Sequence, residues 1–178
     1  KRGAVVVDKS SAWRMDPTVP LVIPEINSDD IQWHQGIISS PNCSTIVLLM
    51  ALAPLHRANP IQRVIVDTYQ SASGAGGKGV VELIQQTEDA LAQKATTHST
   101  FPATLAFNAV PQVEEFGESD YTTEEIKMEN ESRKIMHLPN LPVSATCVRI
   151  PVPVSHSEAV HIEFANHMSP EEAREVLS

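Results

Sequence analysis

"ATCVRIPVPVSHSEAVHIEFA", residues 145–165, decides the fold class. Residues 145–152 and 158–165 are β-rich, and the second piece alternates apolar and polar side chains. Between them lies a turn carrying Pro151, Pro153 and His156, too short for a helix. Two strands in succession break the strand–helix–strand rhythm of a doubly wound sheet. Upstream, "YTTEEIKMENESRKIM" (121–136) reads as a helix, with Thr122 or Thr123 as its cap and acids in its first turn. "TLAFNAVP" (104–111) reads as a strand ending at a proline. The order after residue 100 is therefore strand, helix, strand, strand. It predicts an α+β fold: a mixed, largely antiparallel sheet with helices packed on one face.

Further upstream, "IQRVIVDTYQ" (61–70) is a strand by its β-branched content, and "SASGAGGKG" (71–79) is a loop. Residues 80–94 have helical spacing, with Val80, Leu83, Ile84, Thr87 and Leu91 near one face. Residues 44–57 form a helix that is apolar nearly all round, which predicts burial; Pro54 should kink it or end its regular part. Residues 1–40 read as short extended pieces, Ala4–Val7 and Leu21–Ile23 among them. At the other end Ser169 caps a last helix, Pro170 takes its first position, and Glu172 completes a capping box.

The 178 residues suffice for one domain with a core, or a domain plus a fragment of another. A net charge of −9 argues against a nucleic-acid or membrane-surface binder. No apolar run reaches the roughly 20 residues of a membrane span, and no signal-peptide pattern opens the chain. Cys43 and Cys147 lie far apart and match neither a secreted disulfide framework nor a zinc knuckle. The expectation is a cytoplasmic protein with free thiols and no metal. Both ends look cut: no initiator Met opens the chain, and it stops just after a helix begins.

Cys43, in "SSPNCSTIVLL" (39–49), precedes a helix whose first N–H groups lack intrahelical partners. Such an end lowers a nearby thiol pKa, and its N–H groups could hold an oxyanion. A buried filler is the competing reading for Cys43, and the favoured one for Cys147 within its strand. A thiolate nucleophile also needs a base. His34, His56, His98, His137 and His167 sit in polar or loop contexts, His161 lies in a strand, and His156 lies in a turn between strands. Composition does not choose among them. "GAGGKG" (74–79) satisfies G-x-G-x-x-G, yet residues 92–102 supply neither the second strand nor the acid of a dinucleotide fingerprint. A tight turn that lets a ligand approach the backbone is the better reading.

"SSAWRMDPTVPLVIPEIN", "PNCST", "TYQSASGAG", "EEIKMENESRKI" and "RIPVPVSHSEAV" together resemble, in order and spacing, the aspartate-β-semialdehyde dehydrogenases. The resemblance covers nearly the whole chain. It implies NADPH-dependent reduction of aspartyl phosphate to aspartate semialdehyde and inorganic phosphate, on the route to lysine, threonine and methionine. It implies Cys43 as nucleophile, His156 as general acid/base, and Gln70 as the group orienting the substrate or acyl intermediate. Arg149 would pair with the substrate carboxylate and Glu124 with its ammonium. Lys127 and Arg14 would bind phosphate, and Asn42 would shape the site beside the nucleophile. Ser73, Gly74, Ala75 and Gly76 would lie near the nicotinamide. Without the resemblance, Glu124 and Lys127 read as a solvated i,i+3 pair, whereas Arg149 in an apolar strand already asks for an anion. The implied fold is that of the C-terminal domain of glyceraldehyde-3-phosphate dehydrogenase, in a homodimer or homotetramer. Residues 1–40 would be a remnant of the nucleotide-binding (Rossmann) domain. Residues 41–178 would be the catalytic and dimerisation domain, truncated at its C-terminus. A related acyl-phosphate reductase and a non-catalytic dimerisation module are the alternatives.

Overall fold

A computed structural model describes residues 3–178. In chain order the elements are β1 (Val6–Asp8), α1 (Pro24–Asn27), β2 (Ile37–Ser39), α2 (Cys43–Ala58), β3 (Ile61–Gln70), α3 (Gly76–Leu91), α4 (Thr123–Ile135), β4 (Val143–Arg149), β5 (Ser157–Phe164) and α5 (Pro170–Val176). Short 3₁₀ turns occupy Ser28–Trp33 and Ala72–Ala75. β1 and β2 pair in parallel, Val6 opposite Ile37, and a second sheet has the order β4-β3-β5. The α+β class is as the order of segments predicts. The chain divides into two compact units. The first comprises Lys1–Ile65, Lys127–Ser144 and Val160–Ser178, the second Val66–Ile126 and Ala145–Ala159.

In the first unit Leu21, Ile23, Leu48, Leu49, Leu52, Val64 and Ile135 are all but fully buried, each burial stabilising the unit by about 1.5–3 kcal/mol. α2 runs unbroken through Pro54, which lacks only the one N–H that would have joined the ladder. Its inward face is Leu48, Leu49, Leu52 and Leu55, while Val47 and Met50 are exposed. The helix that is apolar all round is thus buried on one face only. Leu21–Ile23 makes a single bridge, Leu21 to Ser39, rather than a strand. Pro20 and Pro24 flank it and supply no N–H. Lys134 donates its three N–H bonds to the carbonyls of Arg14, Asp16 and Val19, at 2.7, 2.8 and 2.9 Å, and so closes the 14–19 turn. The Ser169–Glu172 capping box opens α5 as expected.

In the second unit Ala72, Leu83, Phe101, Leu105, Ala106 and Val110 form one core cluster. α3 begins at Gly76, so the glycine-rich run is its first turn and not only a loop. Its inward face is Gly79, Leu83 and Gln86, whereas Ile84 and Leu91 are exposed. A Cβ at Gly79 would stand 2.6 Å from the Ala72 carbonyl oxygen, so this close approach admits only glycine. Gln86 also explains why 104–111 is not a strand. Its Oε1 accepts from Leu105 N–H (2.8 Å) and Ala106 N–H (3.1 Å), and its Nε2 donates to Thr97 O (3.0 Å). A buried side chain thereby satisfies backbone that a ladder would otherwise pair. Only Val110 bridges a strand, at Arg149. Glu82 ties down the same loop through Thr100 and Ser99. Burial pushes its carboxyl up, but the N–H and O–H groups of those two residues outweigh that and hold it at about 2.

Candidate active site

The site residues read from the sequence fall into two groups, one in each unit. Asn42, Cys43, Arg14 and Lys127 belong to the first; Gln70, Ser73, Gly74, Ala75, Gly76, Glu124, Arg149 and His156 belong to the second.

Cys43 is the first residue of α2, exposed and outside any disulfide. Asn42 is the N-cap, and its Oδ1 accepts from Ser44 N–H (2.8 Å) and Thr45 N–H (3.3 Å). No acid stands in the first turn, so the positive end of the helix is uncompensated by its own residues beside the sulfur. The two capped N–H groups are, however, already used. They do not form the oxyanion hole that the sequence alone allowed, because an asparagine cap takes them first.

The cap is itself held from below. Asn42 N–H donates to Glu131 Oε2 at 2.7 Å, and Glu131 Oε1 accepts from Arg14 Nη1 at 3.0 Å. Arg14 further donates from Nε to Ser40 O (3.0 Å) and from Nη2 to Lys9 O (2.9 Å). Three of its five N–H donors are thus committed within the protein. Burial pushes the Glu131 carboxyl above its usual range; Asn42 N–H and the Arg14 guanidinium pull against that. The sequence reading missed Glu131. Its signal was faint: it lies seven residues after Glu124, on the same helical face. Lys127, also on α4, is half-buried.

In the second unit Gln70 closes β3. Its Nε2 donates to Glu124 Oε1 at 2.9 Å, and its Oε1 accepts from Thr68 Oγ1 at 3.0 Å. Gln70 and Glu124 are only 1% and 3% exposed, so this pair is a fixed polar contact and not a solvated one. Arg149 closes β4. Its Nη1 donates to Ser71 O at 2.7 Å, and its guanidinium lies 6.0 Å from the Phe101 ring centre. Ser71 N–H in turn donates to His156 Nδ1 at 2.9 Å. Ala72 N–H and Ser73 N–H bond the carbonyls of Val152 and Pro153, lacing 71–73 onto the segment that leads to His156. A Cβ at Gly74 would stand 2.8 Å from Arg149 Nη1 and 3.2 Å from His156 Cε1. Gly76 has φ +79°, a backbone that a side chain would strain. Burial and then the Arg149 charge push the His156 imidazole below its ordinary pKa, with Glu124 opposing. Ser155, just before it, holds φ 80°. Four stretches of sequence thus converge, through Ser71, on one cluster. Ser71 too went unnoticed in the sequence, where nothing but its place after Gln70 marks it.

Cys147 lies in this unit, fully buried, with its thiol pushed up to about 12 by burial first; Glu124, Glu125 and Glu158 act with burial, and Thr68 against it. At neutral pH it is a thiol and packs as a small hydrophobe. Among the described residues no group of three or more His, Cys, Asp or Glu is placed to hold a metal ion, and no helix is long and apolar enough to cross a membrane.

Residues 52–178 match the family model for the semialdehyde dehydrogenase dimerisation domain, and residues 1–34 match that for the semialdehyde dehydrogenase NAD binding domain. Aspartate-semialdehyde dehydrogenase of Aquifex aeolicus (strain VF5) is 52% identical over 99% of this chain and 53% of its own length. The enzyme of that name from Bacillus subtilis (strain 168) is 49% identical over 92% of this chain and 49% of its own. The crystal structure of aspartate semialdehyde dehydrogenase II from Vibrio cholerae, complexed with ASA, matches with a TM-score of 0.96 at 43% identity, over 98% of this chain and 52% of that one. The chain spans about half the length of these relatives. With the dimerisation-domain model matching residues 52–178, the chain belongs to the semialdehyde dehydrogenase family.

Proposed function

We propose that this chain carries the acyl-transfer and dimerisation half of an aspartate-semialdehyde dehydrogenase, which reduces aspartyl phosphate with NADPH to aspartate semialdehyde and phosphate. The observation that carries this reading is the convergence of Gln70, Glu124, Arg149 and His156 around Ser71 and Gly74. A purely structural module has no use for a buried Gln–Glu pair beside a clustered arginine and histidine.

The chemistry follows from residue types. The Cys43 thiolate attacks the acyl carbon; the S–C bond forms, the C–O bond to phosphate breaks, and phosphate leaves with the electron pair. The nicotinamide cofactor, when bound, supplies the hydride that reduces the thioester carbon. The S–C bond then breaks, releasing the aldehyde and regenerating the thiolate. Both stages pass through an oxyanion. Arg149 supplies a guanidinium fork for the substrate carboxylate, and Glu124 a carboxylate for its ammonium. Gln70, held on Glu124, orients the acyl group, and Asn42 fixes the backbone from which Cys43 attacks. Lys127 and the uncommitted donors of Arg14 take the phosphate. Ser73–Gly76 suits the approach of a flat cofactor ring, since a Cβ at Gly76 would meet nothing within 4 Å and the backbone there is bare. The pathway roles in lysine, threonine and methionine synthesis and a cytoplasmic setting go with this reading. So does a homodimer or homotetramer, which the dimerisation-domain match and the exposed Ile65 and Tyr69 on β3 support.

The test is intact mass of the chain mixed with aspartyl phosphate, without nucleotide. Acyl transfer needs no hydride, so an aspartyl adduct mapped to Cys43 is the expected result. No adduct on a chain whose circular dichroism is native would overturn the reading in favour of a structural module. Competition by a glutamate-like acyl phosphate at equal strength would point to a related reductase instead.

A further inference from the structure

α4 supports Arg14 at both ends. Its Lys134 ammonium donates to the carbonyls of Arg14, Asp16 and Val19, which fixes the main chain there. Its Glu131 carboxylate accepts from Arg14 Nη1 at 3.0 Å, with the two side chains only 1% and 10% exposed. Arg14 Nε on Ser40 O and Nη2 on Lys9 O complete the anchorage, so three stretches of chain set the plane of the guanidinium. One N–H on each Nη is left for an anion. The other Glu131 oxygen accepts from Asn42 N–H at 2.7 Å, one residue before Cys43. All these residues lie in the first unit. Both partners of Glu131 only donate, so both of its oxygens must accept, which the ionised carboxylate does. A glutamine in its place would accept from one partner and set its NH₂ against the other. For anion binding the carboxylate is a handicap: it stands on the guanidinium that a phosphate would use and repels an arriving dianion. Burial disfavours its charge too, with Asn42 N–H and then Arg14 pulling the other way. Affinity for an anion alone gives no reason for a carboxylate at this place.

We infer that Glu131 is a positioning residue that ties the Arg14 guanidinium to the Asn42 main chain, weakening anion binding at Arg14 while holding the phosphate-binding cation and the start of α2 in one fixed relation. The inference rests on the proposed acyl-transfer reading for the roles of Arg14 and Cys43. In that reading one molecule presents its phosphate to Arg14 and its acyl carbon to the Cys43 thiolate. The spacing of the two groups then sets the geometry of attack. The tie also makes occupancy of Arg14 felt at the cap. An anion that draws on the guanidinium leaves the Glu131 carboxylate less neutralised, and its bond from Asn42 N–H strengthens.

The experiment compares the whole chain with its Glu131→Gln variant. Inorganic phosphate is titrated into each, with binding followed by ³¹P NMR and the Asn42 amide by a ¹⁵N–¹H correlation spectrum. In the unsubstituted chain the Asn42 amide proton should move downfield as phosphate binds; an amide that ignores phosphate overturns the inference, whether or not the variant folds. Glu131→Gln should bind phosphate about tenfold tighter, since one repelling charge is gone, and its Asn42 amide should no longer follow the titration. Acyl transfer from saturating aspartyl phosphate should nonetheless fall about 10²-fold, because the cation and the thiolate are no longer held in register. A brace with a structural role alone would weaken phosphate binding and rate together. That result, or an unchanged phosphate affinity in a folded variant, overturns the inference. Failure here is distinguishable from failure of the proposed function. The expected phosphate response with no Cys43 adduct removes the proposed function alone, whereas an adduct with an indifferent Asn42 amide removes only this inference.

Discussion

The surroundings of Cys43, the proposed nucleophile, and the histidine cluster are built in different ways. Around Cys43 the decisive geometry is local: a proline, an asparagine cap and a helix start lie within four residues, and a single buried ion pair braces them. Around His156 nothing is local. Residues 70–74, 124, 149 and 156 meet only because β3, the start of α4, β4 and the turn before β5 deliver them, and main-chain groups do most of the holding. The first region should therefore be vulnerable through one side chain or its brace, the second through crowding and backbone geometry.

The largest effect tests the local region directly. Cys43→Ala should lower acyl transfer by about 10⁴-fold or more with the fold intact, read by adduct formation and circular dichroism; an acylated variant would move the nucleophile elsewhere. Next is its brace. Glu131→Ala strips a partner from buried Arg14 and from Asn42 N–H, and urea unfolding should show a loss of about 3–5 kcal/mol. A loss near zero would mean that the cap stands without its support.

In the second region, Gly74→Ala introduces a Cβ 2.8 Å from Arg149 Nη1. Acyl transfer should fall by about 10²-fold, the usual result of a small misplacement, while stability changes little. An unchanged rate would show that this crowding is absorbed elsewhere.

A smaller effect concerns Glu158. Both its carboxyl oxygens are buried without a hydrogen-bond partner, and burial pushes the group up to about 7 from an ordinary 4.5. A raised folded-state pKa means that the contribution to stability is fully present below the unfolded value of 4.5 and is lost as pH rises through about 7. Glu158→Gln should remove that pH dependence. Above pH 7 it should stabilise the chain by about 1–2 kcal/mol, after allowance for partial exposure. Parallel pH–stability curves for the two chains would contradict this. The smallest effect is Ser155→Gly. Relief of the φ 80° backbone before His156 should add about 1 kcal/mol of stability, and a decrease would show that the serine earns its strained place by a contact.

The sequence by itself determined what short-range physics controls. β3 covers the residues that its β-branched run marks, the capping box opens α5 at Ser169, and Cys43 stands at a helix start because Asn42 can cap and the residues after it favour a helix. The tertiary structure decided what depends on buried polar groups finding partners. Residues 104–111 look like a strand by composition, yet Gln86, some 20 residues away in sequence, takes the N–H groups of Leu105 and Ala106. α3 turns inward the face that carries Gln86, leaving Ile84 and Leu91 to solvent. Glu131 sits beneath the cap, and Ser71 N–H donates to His156 Nδ1. Periodicity and capping report on neighbours a few residues apart. A buried donor is satisfied by whatever acceptor the fold brings within about 3 Å, and no local pattern records that choice.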